Sequence, residues 1–318
     1  MNLEYGIRPV SQLRDEIEQA AAHWPLAQNT TIESTDCDGV AGTWIDVPAA
    51  MGGPAQSGVV YLHAHGGGYY RGSARVDAAL CSHLCALSGA RCLSVDYRRP
   101  PDEGVFPAAL DDMVTVWRWL TAAEGGGISP EHIVVGGTSA GGGLAAALLL
   151  RLRDQALPLP AAGILVSPWT DLTQSGASFQ TNAEYGPDAE YLTHWADVYL
   201  GGADPRQPYA SPLFGELHGL PPLLIQAGGQ ETMLDDASLF AAATAGAGCA
   251  VTLEVYPGQP HSFQHEVGTE PVAREAVEHM VRFPAALGLK RRGDDSLRYS
   301  WVSSPTSKSE SSQPINFV

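Results

Sequence analysis

The pentapeptide Gly137-Thr138-Ser139-Ala140-Gly141 has the make-up of a turn that presents a hydroxyl as a nucleophile. It follows the apolar run Ile133-Val134-Val135 and opens a segment with helical patterning. A serine at so sharp a strand-to-helix turn is held in a strained backbone conformation that exposes its hydroxyl. Glycines two positions before and after it remove Cβ atoms that would clash where strand and helix crowd together. The positive end of the following helix faces any negative charge that develops beside the serine. The chemistry this permits is nucleophilic attack on a carbonyl. The competing reading is a glycine-rich connection with an incidental serine, and the context favours the nucleophile.

A second group, His65-Gly66-Gly67-Gly68, directly follows the apolar run 59–64. Acyl transfer builds negative charge on the carbonyl oxygen, and backbone amides aimed at that oxygen stabilise it by about 3–4 kcal/mol each. Consecutive glycines leave the backbone bare enough for such an approach. Alone they would read as a flexible turn; paired with Ser139 downstream they read as an oxyanion site.

A serine nucleophile needs a base and an acid to orient the base, and in α/β-hydrolases they follow the serine in the order acid, then histidine. His261 lies in the loop Pro257-Gly258-Gln259-Pro260-His261-Ser262-Phe263, after the strand predicted at 250–256. It is preferred to His265 and to His279, which falls on a predicted helix and reads as a surface residue. For the acid, Glu231 sits closest to the end of the strand predicted at 222–228. Asp235 and Asp236 fall in the first helical turns, where carboxylates commonly complement the helix dipole. Glu231 is therefore preferred.

The elements that must position these residues follow from the apolar pattern. Strands are predicted at 40–47, 59–64, 90–95, 133–136, 161–167, 222–228 and 250–256. Helices are predicted at 11–24, 76–88, 108–123, 142–154, 232–245 and 271–287, and Gly52-Gly53-Pro54 reads as a turn. Short apolar strands alternating with longer helices indicate a mostly parallel sheet covered on both faces, with sites at the carboxyl ends of its strands. Residues 171–219 interrupt the alternation with an aromatic-rich insertion: Phe179, Tyr185, Tyr191, Trp195, Tyr199, Tyr209 and Phe214. It reads as a cap over a pocket, or as aromatics packing the insertion onto the domain. The tail at 290–318 holds eight Ser and little periodicity, and disorder is expected there.

The chain of 318 residues suits one large α/β domain. Its net charge of −17 repels phosphate backbones and anionic lipid, so neither nucleic acid nor a membrane is an expected partner. No apolar run approaches the roughly 18 residues that span a bilayer, and the charged first 24 residues lack a signal-peptide core. A cytoplasmic address is expected. The five cysteines have irregular spacing, so no disulfide framework is implied. Cys81 and Cys85 share one helix face while His83 points elsewhere, so no metal site is expected.

Together these segments resemble the bacterial hormone-sensitive-lipase-like esterases of the α/β-hydrolase superfamily, over about residues 40–288. The similarity includes His65 to Gly68, Gly137 to Gly142, Asp96-Tyr97-Arg98, Ser167-Pro168-Trp169, Ala210-Ser211-Pro212-Leu213, and the segments around Glu231 and His261. Thr138 before the nucleophile matches one subgroup of that family. The resemblance implies an α/β-hydrolase fold with a small cap, an N-terminal cap segment at 1–39, a catalytic domain at 40–289, and hydrolysis of short- to medium-chain acyl esters through an acyl-enzyme, without a cofactor. It implies Ser139, Glu231 and His261 as the triad and the amides of Gly67, Gly68 and Ala140 as the oxyanion hole. His65 would brace that loop. Tyr69 and Tyr70 directly follow the expected oxyanion loop. With Trp169 and the 171–219 insertion they are expected to shape the substrate pocket and shorten the acyl channel; the alternative is that both tyrosines pack inward. Many relatives carry Asp where this chain has Glu231. An acyltransferase, an elimination enzyme and a non-catalytic receptor on the same scaffold remain alternatives, and the assembly state, homodimer included, is left open.

Overall fold

The computed structural model describes residues 9–48 and 58–289. The turn expected at Gly52-Gly53-Pro54 and the tail at 290–318 lie outside the described residues. Eight strands form one sheet: β1 Thr31–Cys37, β2 Val40–Asp46, β3 Val60–Ala64, β4 Arg91–Val95, β5 Ile133–Thr138, β6 Ala162–Val166, β7 Leu223–Gly228 and β8 Val251–Tyr256, in the order β1-β2-β4-β3-β5-β6-β7-β8. From β4 to β8 every pairing is parallel, while β1 with β2 and β2 with β4 are antiparallel. The helices are α1 Val10–Ala21, α2 Ala78–Ser88, α3 Ala108–Thr121, α4 Ala140–Asp154, α5 Ser178–Thr181, α6 Ala189–Leu200, α7 Leu234–Gly246 and α8 Pro271–Ala286. This is an α/β-hydrolase architecture.

The central strands are apolar throughout because both sheet faces are covered; every residue of β3, β6 and β7 is buried. On one face, Leu110 and Trp117 of α3, Leu144 and Leu148 of α4 and Phe240 of α7 join one apolar cluster. On the other, Leu80, Cys81 and Cys85 of α2 meet Val277 and Met280 of α8 in a second. Cys81 and Cys85 thus serve as core, and His83, 3.2 Å from the Pro25 carbonyl, points away from them.

Three expectations need correcting. Strand β1 went unpredicted, and because it pairs with β2 in the main sheet, residues 31–37 do not belong to an N-terminal cap. Helix α1 ends at Ala21, so Trp24 lies beyond it. Helix α4 starts at Ala140, directly after the serine, and not at Gly142.

Candidate active site

Ser139 is held at φ 58°, ψ −120°, the strained turn expected of it. Its amide donates to the Val166 carbonyl at 2.8 Å, and its carbonyl accepts from the amides of Gly143 and Trp169 at 3.1 and 3.0 Å. The glycines around it answer to close backbone approach. A Cβ on Gly141 would overlap the carbonyls of Ala64 and His65, and one on Gly137 would overlap the Gly141 carbonyl. Strand β3, strand β5 and helix α4 pack this tightly only because those positions lack side chains.

The structure brings Ser139, His261 and Glu231 into one hydrogen-bonded line. His261 Nε2 lies 2.9 Å from Ser139 Oγ, and His261 Nδ1 lies 2.8 Å from Glu231 Oε2. The Glu231 side chain is fully buried, and the His261 ring is 18% exposed, at the edge of a cleft. The acid and base loops are tied to each other, since the Gln230 amide donates to the Gln259 carbonyl at 3.1 Å. Asn182, from the 171–219 insertion, donates to the Glu231 carbonyl at 3.0 Å.

The rival residues have other partners. His265 sits on Asp77, and His279, partly buried and not a surface residue, lies 3.0 Å from Glu254. Asp236 does more than complement a helix end: it is buried and accepts from the amides of Thr170 and Asp171 at 2.8 Å each. Asp235 accepts from the Ser178 amide at 3.0 Å.

Gly67 and Gly68 take φ 121° and 65°. Among the described residues no protein acceptor engages the amides of Gly67 and Gly68, on the loop after β3, or of Ala140, directly after Ser139. His65 braces the loop: its ring stacks on Tyr97 at 4.2 Å, its Nδ1 donates to the Gly66 carbonyl at 2.7 Å, and the Tyr97 hydroxyl donates to the His65 carbonyl at 2.8 Å. Burial lowers its pKa to about 4, so the ring is neutral at pH 7.

A cleft of about 270 Å³ opens on Ser139 and His261. Ile17 and Trp24 line it from the N-terminal segment, Leu192 and Trp195 from α6, and Phe263 from the loop after His261. The Arg71 guanidinium lies 4.5 Å over the Trp195 ring. Tyr69, Tyr70 and Trp169, expected to shape the pocket, do not line this cleft. Tyr69 is buried at φ 61°, stacked on Tyr199 at 3.9 Å and tilted against Trp169. Trp169 is buried with its Nε1 donating to the Asp171 carbonyl at 3.2 Å. Tyr70 meets His194 edge-on. The left-handed turn at Gly67 to Tyr69 carries Tyr69 into the core, where these rings support the wall. Sequence reading missed the true lining because Trp24 and Trp195 converge from segments about 170 residues apart, which local pattern does not encode.

Among the described residues no group of three or more His, Cys, Asp or Glu could hold a metal ion, and no helix is long and apolar enough to cross a membrane.

A family model described as the alpha/beta hydrolase fold matches residues 60–265. An acetyl-hydrolase of Streptomyces hygroscopicus is 44% identical over 225 residues, covering 70% of this chain and 74% of its own length. An esterase of Acinetobacter venetianus is 32% identical over 280 residues, covering 87% and 89%. A crystal structure of an esterase from the bacterial hormone-sensitive lipase family superposes with a TM-score of 0.82 at 40% identity, covering 88% of this chain and 92% of that one.

Proposed function

The chain belongs to the bacterial hormone-sensitive-lipase-like esterases of the α/β-hydrolase fold, enzymes that hydrolyse carboxylic esters, and on that premise we propose that it cleaves short- to medium-chain acyl esters through an acyl-enzyme on Ser139. The observation that carries this reading is the line from Glu231 through His261 to Ser139, with both hydrogen-bonding distances under 3 Å.

His261 Nε2 takes the proton of Ser139 Oγ as the oxygen attacks the ester carbonyl. Nδ1–H stays bonded to Glu231, which fixes the tautomer and stabilises the imidazolium. The amides of Gly67, Gly68 and Ala140 receive the oxyanion, reinforced by the α4 N-terminus. The imidazolium returns its proton to the leaving alcohol; water, deprotonated by the same ring, then releases the acid. Every proton is carried by His261, so the chemistry needs no cofactor.

The preference for short acyl groups rests on the cleft, whose volume of about 270 Å³ lies at the low end of small-molecule sites. The acetyl-hydrolase named above supports the same substrate class. We propose further that α1, Trp24 and the 171–219 insertion act together as the cap. A profile on p-nitrophenyl esters tests the reading, with Ser139→Ala alongside. Catalytic efficiency should peak at or below about eight acyl carbons, and Ser139→Ala should lose turnover by roughly a millionfold while folding normally. A peak on much longer chains would overturn the chain-length claim, and an active, folded Ser139→Ala would overturn the mechanism.

A further inference from the structure

Asp77 immediately precedes α2 and is fully buried, yet its carboxylate serves three partners from three parts of the fold. Oδ2 lies 2.6 Å from His63 Nε2, on β3, and accepts from the Gly66 amide at 3.3 Å. Oδ1 lies 2.8 Å from His265 Nε2. Gly66 immediately precedes the glycines assigned to the oxyanion, and His265 lies four residues beyond His261. The His265 ring is also stacked on Trp24, with centroids 4.3 Å apart, and Trp24 Nε1 donates to Glu266 at 2.9 Å.

A buried ionic cluster of this kind is a poor source of stability, because apolar residues of similar volume commonly serve as well or better. What it supplies is geometry. In a low-dielectric interior, hydrogen bonds to a carboxylate are stiff, and each partner left unpaired carries a penalty. Burial acts to raise the Asp77 pKa, but the two imidazoles outweigh it and hold the carboxyl well below the usual range. The cluster is not a metal cage, since no such group occurs among the described residues.

We propose that Asp77 is a positioning residue for ester hydrolysis, tying the loop that receives the oxyanion to the loop that carries His261. His63 anchors the carboxylate to the sheet, Gly66 fixes the glycine loop, and His265 fixes the His261 loop and, through Trp24, the N-terminal segment over the cleft. This rests on the function proposed above. Asp77 borders the cleft but hydrogen-bonds none of Ser139, His261 or Glu231, so its removal should act mainly on kcat rather than on substrate binding.

The test uses the full chain with p-nitrophenyl acetate. Asp77→Asn removes the charge and one acceptor at constant size. In a protein of unchanged circular dichroism, kcat should fall about a hundredfold, the scale of a small misplacement of reacting groups, with KM within about threefold. His265→Leu should show the same selective loss of kcat. His265→Gln, whose Nε2 can still donate to Asp77, should recover at least about tenfold of that loss. Wild-type kcat in folded Asp77→Asn, a loss confined to KM, or equal activity of His265→Leu and His265→Gln would each overturn the inference. Should Asp77→Asn fail to fold, the His265 pair decides. Ser139→Ala, assayed in parallel, separates the two levels: if it is inactive while the clamp variants behave as wild type, only this inference fails.

Discussion

Gly68 lies directly against the face of Trp195, so close that a Cβ on the glycine would overlap the indole. The contact seats helix α6 on the glycine loop at the wall of the cleft. Gly68→Ala should therefore fail for two reasons, the ring and the backbone at φ 65°, which alone costs a non-glycine residue about 1–2 kcal/mol. Adding Trp195→Leu should restore part of the lost melting temperature and kcat. Gly67→Ala, whose Cβ would meet the Arg71 carbonyl, should not be rescued by any change at Trp195. Melting curves and kcat for these variants decide it; failure of Trp195→Leu to help Gly68→Ala would show that the contact is not what forbids the side chain.

The proposed mechanism gives the acid role to Glu231, whose Oε2 lies 2.8 Å from His261 Nδ1. Glu231→Gln keeps the shape but presents an amide that no longer dictates the imidazole tautomer, and kcat should fall by roughly four orders of magnitude. Glu231→Asp should retain more activity than Gln, because the charge survives and only reach is lost. Comparable kcat for Glu231→Gln and wild type would move the acid role elsewhere.

Much of this arrangement is legible in the sequence. Strands buried on both faces announce themselves as unbroken apolar runs, as in β3 and β7. Strand β1 escaped because it is a mostly exposed edge strand of polar residues. The signal that would have found it is Asp38-Gly39, both at positive φ, a two-residue hairpin turn. The α4 boundary was misplaced because glycine is a poor helix former. Here neighbouring backbone forbids Cβ atoms: Gly143 faces the Trp169 carbonyl as Gly141 faces that of Ala64. Ser139, Glu231 and His261 are readable because each sits just past a strand's carboxyl end. The Asp77 cluster is not, because His63 on β3, Asp77 before α2 and His265 beyond His261 share no motif and meet only in the folded chain.

The His63–Asp77 pair also contributes to the pH dependence of stability. Burial disfavours a charge on His63, but the Asp77 carboxylate, 2.6 Å from its Nε2, pushes its pKa up to about 9, while the neighbouring Cys81 thiol, held well above its ordinary range, stays neutral. The unfolded histidine titrates near 6.5. Below that pH both states hold the proton and the contribution is complete; between about 6.5 and 9 only the folded state holds it, and the contribution, on the order of 3 kcal/mol, is lost as pH rises. The difference in melting temperature between wild type and His63→Gln should thus shrink from pH 6.5 to 9.5. At the acid end, the depressed pKa of Asp77 removes its own contribution as pH falls. A difference that stays constant or grows on the alkaline side would contradict this assignment.

The central claim is that Ser139 is the atom that attacks. A p-nitrophenyl alkylphosphonate reacts covalently with an activated serine and stops at a stable adduct. Inactivated protein, digested with trypsin, yields the peptide 119–151, which contains Ser129 and Ser139. Fragmentation should place one alkylphosphonyl group on Ser139, with label and loss of activity rising together to one equivalent. Label on Ser129 or on another peptide, or full inactivation with Ser139 unmodified, would contradict the account.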